Sequence, residues 1–292
     1  MRRVLLAPTL ELANKIKTDA TVEAEYGDTV IEGNLVTLAH HSGEWADNPA
    51  PCNNYDVPRL PSGSTILVSH IDLDTLGGIA ALWDLSFAAG KKEDGVMKPF
   101  AYFWEAAEFI DLHGPHYLSQ IRFTSNLAKY FNAYWAWSYA QGRAPRYTKI
   151  TDVTDLVKLH LEAVCRILND DEELLAAGEK WAKETTEKVE ACLLEENPNY
   201  RLFATSDVFC SAGYYSPKFN QVIPVTISIN TKIGTITIAC TDGSINCRDI
   251  VQSIWGLEAG GHAGIAGSPR GQKMKLADLN KAVQAVKRET DK

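Results

Sequence analysis

The chain has 292 residues, of which 45% are hydrophobic and 23% charged, with a formal net charge of −8 and a sequence pI of about 5.4. That length allows two modest domains with sizeable cores, and the acidic balance excludes a broad basic surface for duplex nucleic acid. No apolar run approaches the length of a transmembrane helix, and the apolar stretch after Arg2-Arg3 is too short for a signal peptide. Six cysteines, at 52, 165, 192, 210, 240 and 247, are scattered without a Cys-x-x-Cys pair. This spacing speaks against a zinc ribbon or a disulfide scaffold and for reduced thiols in a cytoplasmic protein.

Residues 20–39 alternate in polarity and carry Tyr26-Gly27-Asp28 and Glu32-Gly33-Asn34 turns, which predict short strands. The last of these, 34–39, runs into His40-His41. Residues 48–63 hold four prolines and read as a loop over the surface or over a site. A strand is predicted over 64–69, then a helix over 76–90 closed by Gly90. The segment from Phe100 to Ile110 reads as strand then helix, its periodicity undecided, and delivers Asp111 to a loop. That loop, Asp111-Leu112-His113-Gly114-Pro115-His116, is predicted because Gly-Pro interrupts any helix.

Residues 117–139 are helical in pattern and rich in aromatics, including Tyr130, Phe131, Tyr134, Trp135 and Trp137. Such a stripe belongs to a core or to a subunit contact, so a homodimer is an open expectation. Helices follow over 154–168 and 171–194. Beyond Asn197-Pro198 come short β-branched strands over 200–210, 222–229 and 233–240, the last two joined by an Asn230–Gly234 hairpin. Helices over 247–255 and 275–288 complete the chain. The predicted class is α/β: an N-terminal parallel-sheet domain over 1–150 with a site at its strand ends, a helical connector over 151–197, and a smaller C-terminal α/β domain over 198–292.

Ser69-His70-Ile71-Asp72-Leu73-Asp74 stands where the predicted strand ends. Open α/β sheets place ligands outside the carboxyl ends of their strands, and alternate residues of an extended end point the same way. His70, Asp72 and Asp74 converging without a nearby Lys or Arg point to a divalent cation. The simpler reading is a turn in which Asp74 caps the next helix. Six of the seven histidines fall in short polar clusters, and only His160 lies in an ordinary helical pattern. His40, His41, His113 and His116, all at predicted loop starts, join His70 as candidate ligands gathered from separate strands.

Residues 256–271 contain six glycines in sixteen positions. Without side chains the backbone amides can approach an anion closely, and His262 and Arg270 add charge-assisted donors. Gly260, Gly261, His262 and Arg270 therefore read as a cradle for a phosphate or carboxylate.

At these two places the chain resembles the DHH phosphoesterases, the superfamily of RecJ-like nucleases and nano-RNases. Ser69–Leu82 is similar to their first motif, and Gly260-Gly261-His262-Ala263-Gly264-Ile265-Ala266-Gly267 to the Gly-Gly-His motif of their DHH-associated C-terminal domain. The matches stand in the family order and imply coverage from about residue 60 to the end. The resemblance implies that His70, Asp72 and Asp74, with Asp111 as a later aspartate, hold one or two manganese or magnesium ions, and that His262 contacts substrate. The naming Asp-His-His triplet is missing after the first motif; Asp111-Leu112-His113 with His116 is a degenerate candidate, and His40-His41 precedes the motif. Asp152 and Asp155 are candidates for the family's last acid, or helix caps.

The expected function is hydrolysis of a small phosphodiester or phosphomonoester, such as a nucleotide or short oligonucleotide. Metal ions bridged by an aspartate would activate water and offset phosphoryl charge. Asp72, Asp74, Asp111 and His70 are the expected catalytic set. The alternative is a degenerate DHH-fold protein that binds a nucleotide or anionic metabolite without cleaving it. No membrane partner is expected.

Overall fold

The computed structural model describes residues 2–22, 34–40, 48–54, 57–89, 100–113, 125–141, 147–210, 213–269 and 271–290. The fold is mixed α/β, with parallel pairing in both main sheets. The chain forms two compact units, Met1–Glu108 with Lys129–Glu179, and Phe109–Ala128 with Lys180–Lys292.

In the first unit, short apolar runs make β1 (Arg3–Leu6), β2 (Ala20–Val22), β3 (Val36–Leu38) and β4 (Thr65–Val68). The strand order is β3-β2-β4-β1, all parallel, with β5 (Thr151–Asp152) added antiparallel at the β1 edge. Val4, Ala20, Val22, Ile66, Leu67 and Val68 are fully buried, as strands covered on both faces require. Short α1 (Leu10–Ala13) is capped by Thr9. Helix α2 (Leu73–Leu82) follows β4. It starts three residues earlier than its periodicity predicts, because Asp72 caps it by accepting from the Thr75 N–H. It also stops earlier, at the Trp83 cap, where Asp84 takes a left-handed φ of 53°.

The segment after Phe100 is wholly helical: α3 runs Ala101–His113. The strand-then-helix reading fails because Ala101, Phe103, Trp104, Ala106 and Ala107 form one buried face at helical spacing. Asp111 therefore sits on a helix and not in a loop. The division between the units falls inside α3, whose last turn continues the same unbroken helix. In α4 (Ser125–Ala140) part of the aromatic stripe enters the core: Phe131 and Tyr134 are buried, and Phe131 stacks on Phe103 with centroids 4.7 Å apart, whereas Trp135 and Trp137 are half-buried and Tyr139 is exposed. Helix α5 (Thr154–Leu168) carries His160, whose Nδ1 lies 2.9 Å from the Tyr134 hydroxyl. Burial lowers the His160 pKa, so the ring is neutral near pH 7.

Helix α6 (Glu172–Ala191) ends sooner than expected because Leu193–Glu196 turns into strand β6. The second unit then adds β7 (Tyr200–Thr205), a small β8–β9 ribbon (Tyr215–Ser216, Gln221–Val222), β10 (Val225–Asn230) and β11 (Thr235–Cys240). After α7 (Cys247–Trp255) come β12 (Gly260–Gly261), β13 (Ile265–Gly267) and α8 (Leu276–Thr290). The sheet order is β12-β13-β11-β10-β7-β6, with β10 and β7 parallel and the other pairs antiparallel. Its core joins Ile227, Ile229, Ile236 and Ile238 to Val251, Leu279, Val283 and Val286. The β10–β11 hairpin turns through Gly234 at φ +71°. Among the described residues no helix is long and apolar enough to cross a membrane.

Candidate metal centre

Parallel pairing places the carboxyl ends of β3 and β4 on one edge of the first sheet. Val22 pairs with Leu38 on one side and with Val68 on the other, so both strands stop at the same level. His40 lies two residues beyond Leu38, and Asp74 lies in the first turn of α2. His40 Nε2 and Asp74 Oδ2 are 3.2 Å apart, with side chains only 1% and 3% exposed.

The other oxygen of Asp74 is held by the proline-rich segment. Pro51–Asn53 forms one turn of 3₁₀ helix, and the Cys52 N–H donates to Asp74 Oδ1 at 2.8 Å. Gly77 and Gly78 permit this approach. A Cβ on Gly77 would lie 2.6 Å from Cys52 Cα, and one on Gly78 would lie 2.8 Å from Val22 Cγ1. Glu108 on α3 ties down the same turn, accepting from the Ala50 N–H at 2.9 Å and from Asn53 Nδ2 at 2.6 Å. One helical turn further along α3 stands Asp111. His40, Asp74 and Asp111 each offer a ligand atom, and these atoms all lie within 4.8 Å of one another.

This donor set fits a divalent cation. Ligands bonded to one ion at about 2.0–2.2 Å stand at most about 4.4 Å apart, so a small contraction of the cluster closes around an ion. His40 Nε2, Asp74 Oδ2 and Asp111 Oδ2 are shielded from solvent. Two adjacent carboxylates out of water repel each other and cost several kcal/mol unless a cation or a proton compensates. One imidazole and two carboxylates form a nitrogen–oxygen set suited to manganese, zinc, iron or magnesium more than to soft metals.

His70 and Asp72 are placed differently from the extended strand end that alternation predicts. The strand stops at Val68, and Asp74 is already helical, so the three residues do not share one extended segment. His70 Nε2 lies 2.8 Å from Asp72 Oδ2, and His70 Nδ1 lies 2.8 Å from Ser69 Oγ. Asp72 Oδ1 accepts from the Thr75 N–H at 2.8 Å, so Asp72, and not Asp74, is the helix cap. Burial pushes the Asp72 pKa up, but the His70 and Thr75 hydrogen bonds together outweigh it, and the net shift is downward. Its carboxylate stays ionised, with His70 as its partner.

Asp152 and Asp155 both serve the start of α5. Asp152 accepts from the Thr154 N–H at 3.0 Å and pairs with Arg3 at 3.0 Å, while exposed Asp155 pairs with Lys158. His41, His116 and Arg270 lie outside the described residues, as does the side chain of His113.

In the second unit Gly260 and Gly261 form edge strand β12, and His262 opens a tight turn into β13. The His262 N–H donates to the Ile265 carbonyl at 2.8 Å and the Ile265 N–H returns to the His262 carbonyl at 3.2 Å. Gly261 adopts φ +138°, and Arg248 Nε donates to its carbonyl at 2.7 Å. Arg248 and the Cys52 N–H were not among the expected site groups. The paired glycines at 77 and 78 within a helical pattern are the sequence signal for the Cys52 contact, since they mark close packing; nothing in the spacing flags Arg248.

No family model matches the chain, and no curated protein matches it. A solved structure described as an uncharacterized protein from Helicobacter pylori G27 aligns at TM-score 0.25 and 11% identity, covering 72% of this chain and 58% of that one. The aligned part thus spans 58% of that protein's length, and at this TM-score the likeness carries no argument about fold or function.

Proposed function

We propose that the chain is a metal-dependent phosphoesterase acting on a small phosphodiester or phosphomonoester. The observation that carries this reading is the His40–Asp74–Asp111 cluster, in which His40 and Asp74 are buried at the carboxyl edge of a parallel sheet and Asp111 is half-buried. His40, Asp74 and Asp111 would hold a manganese or magnesium ion, and a bound ion there supplies Lewis-acid polarisation of a phosphoryl oxygen and a water of lowered pKa. The Cys52 N–H keeps Asp74 aimed by fixing its second oxygen. Asp72 and Ser69 Oγ engage both ring nitrogens of His70 and so fix the ring beside the strand end. In the second unit, Gly260, Gly261 and the His262 imidazole are the candidates for binding an anionic group.

A test uses the purified full chain dialysed against EDTA and then reloaded. Stoichiometric Mn²⁺ uptake together with hydrolysis of bis-p-nitrophenyl phosphate, p-nitrophenyl phosphate or a dinucleotide is the expected result. Carboxylic esters and amides are offered in parallel. Tight manganese binding with turnover of carboxylic esters alone overturns the substrate class. Absence of metal uptake overturns the centre itself, and nucleotide binding in that metal-free protein would leave the non-cleaving alternative.

A further inference from the structure

Two cysteines of the second unit meet beside the edge strand. Cys192 is the residue between α6 and β6, half-buried, and its carbonyl accepts from the Ala204 N–H at 3.1 Å across the β6–β7 pair. Cys210 lies five residues beyond the end of β7 and is 1% exposed. Cys210, Val189 and Phe203 form one buried cluster, with Cys192, Leu193 and Val208 packed against it. Cys192 thus packs against the cluster that holds Cys210, and burial first, then the neighbouring Cys192 thiol, push the Cys210 thiol up to about 12.

We propose that Cys192 and Cys210 are a redox modification site that closes a reversible disulfide across the open base of the β6–β7 hairpin. Both residues flank that hairpin, so the bond would tie the entry of the outermost strand to the segment leaving its neighbour. Edge strands have one unpaired side and fray most readily, which is where a covalent staple has most effect. The reaction needs a two-electron oxidant, and a hydroperoxide is the class proposed. The Cys192 sulfur, the more accessible of the two, attacks the terminal peroxide oxygen; the O–O bond breaks, an alcohol or water leaves, and Cys192 becomes a sulfenic acid. The Cys210 sulfur then attacks the sulfenic sulfur, the S–S bond forms, and hydroxide departs with the Cys210 proton as water. Two thiols and one hydroperoxide thus give one disulfide, one alcohol and one water. Cys210 stays protonated and unreactive on its own, so oxidation begins at Cys192.

The experiment treats the native full chain with hydrogen peroxide, digests it without reduction and maps the peptides by mass spectrometry. The expected product is a cross-linked pair containing Cys192 and Cys210, lighter by two hydrogens and returned to free thiols by dithiothreitol. Cys192→Ser and Cys210→Ser should each abolish the cross-link, while Cys165→Ser, at another half-buried thiol, should leave it unchanged. Hydrogen exchange on the oxidised chain should slow at Leu193–Glu196. Circular dichroism identifies any variant that fails to fold, and the wild-type peptide map decides the matter without either variant. Conversion of Cys192 to sulfinic or sulfonic acid with Cys210 still reduced would overturn the proposal, as would a disulfide of Cys192 with any other cysteine.

Discussion

His40 Nε2 lies 3.2 Å from Asp74 Oδ2 although the two residues leave different strands and are separated by the whole proline-rich segment. The contact is buried, so it cannot be a screened surface pair of little consequence. Removing the imidazole with His40→Ala should weaken Mn²⁺ binding at least about tenfold by isothermal titration. Asp74→Asn should do the same while keeping Oδ1 to accept from the Cys52 N–H. Asp74→Ala should in addition be about 1–3 kcal/mol less stable than Asp74→Asn, because both lose the carboxylate charge but only Ala strands that buried N–H. Parent-like affinity in His40→Ala would remove His40 from the centre.

Asp72 is expected to behave differently from its neighbour two residues on. As the N-cap of α2 it should cost about 1 kcal/mol when changed to Ala. Manganese affinity in Asp72→Ala should remain close to the parent's. A loss as large as that of Asp74→Asn would place Asp72 in the coordination sphere, as the family resemblance implies.

The glycine pair in α2 offers a test of packing. Ala is the better helix former by up to about 1 kcal/mol, yet Gly77→Ala would set a Cβ 2.6 Å from the Cys52 backbone. The overpacking should prevail, lowering urea stability by about 1–3 kcal/mol and shifting the Cys52–Asp74 contact. A more stable Gly77→Ala protein would contradict the close approach.

Gly260 and Gly261 should separate stability from binding. Nothing lies within 4 Å of a Cβ on Gly260, whereas one on Gly261 would stand 2.5 Å from the Ile265 carbonyl at φ +138°. Gly261→Ala should therefore cost about 1–3 kcal/mol, and Gly260→Ala within about 0.5 kcal/mol. If the backbone there receives an anionic substrate, Gly260→Ala should still raise KM. Identical KM and kcat in Gly260→Ala would make β12 a structural edge only.

Asp152 sets an acid limit on stability. The Thr154 hydrogen bonds are the main cause of its lowered pKa, with Arg3 adding to them. A carboxyl whose folded value lies below its ordinary 3.8 contributes fully above pH 3.8 and loses that contribution as the pH falls below it. The group is about half exposed, so the contribution is about 1 kcal/mol or less. Thermal scans from pH 6 to 3 should show the parent losing more Tm than Asp152→Asn; parallel curves would deny Asp152 this role.

What the sequence determined by itself is local. The β-branched runs of β4, β10 and β11, the periodicity of α5 and α7, and the Asn230–Gly234 turn are all legible, because strand, helix and hairpin preferences act over a few residues. The boundaries that escaped the pattern were decided by single contacts, such as Asp72 starting α2 and the buried face of Phe103 and Trp104 making α3 a helix. The candidate centre needed the tertiary structure. His40, Asp74 and Asp111 are dispersed along the chain, and none announces the others. His40 and Asp74 meet because β2 carries β3 and β4 in parallel on its two sides and because two side-chain-free positions let α2 approach the Pro51–Asn53 turn; Asp111 stands one helical turn beyond Glu108, which holds that same turn. His70 and Asp72 were expected on an extended strand end with Asp74, but the strand ends at Val68; once the backbone turns helical, neighbouring carboxylates point in different directions, and Asp72 caps while Asp74 is buried.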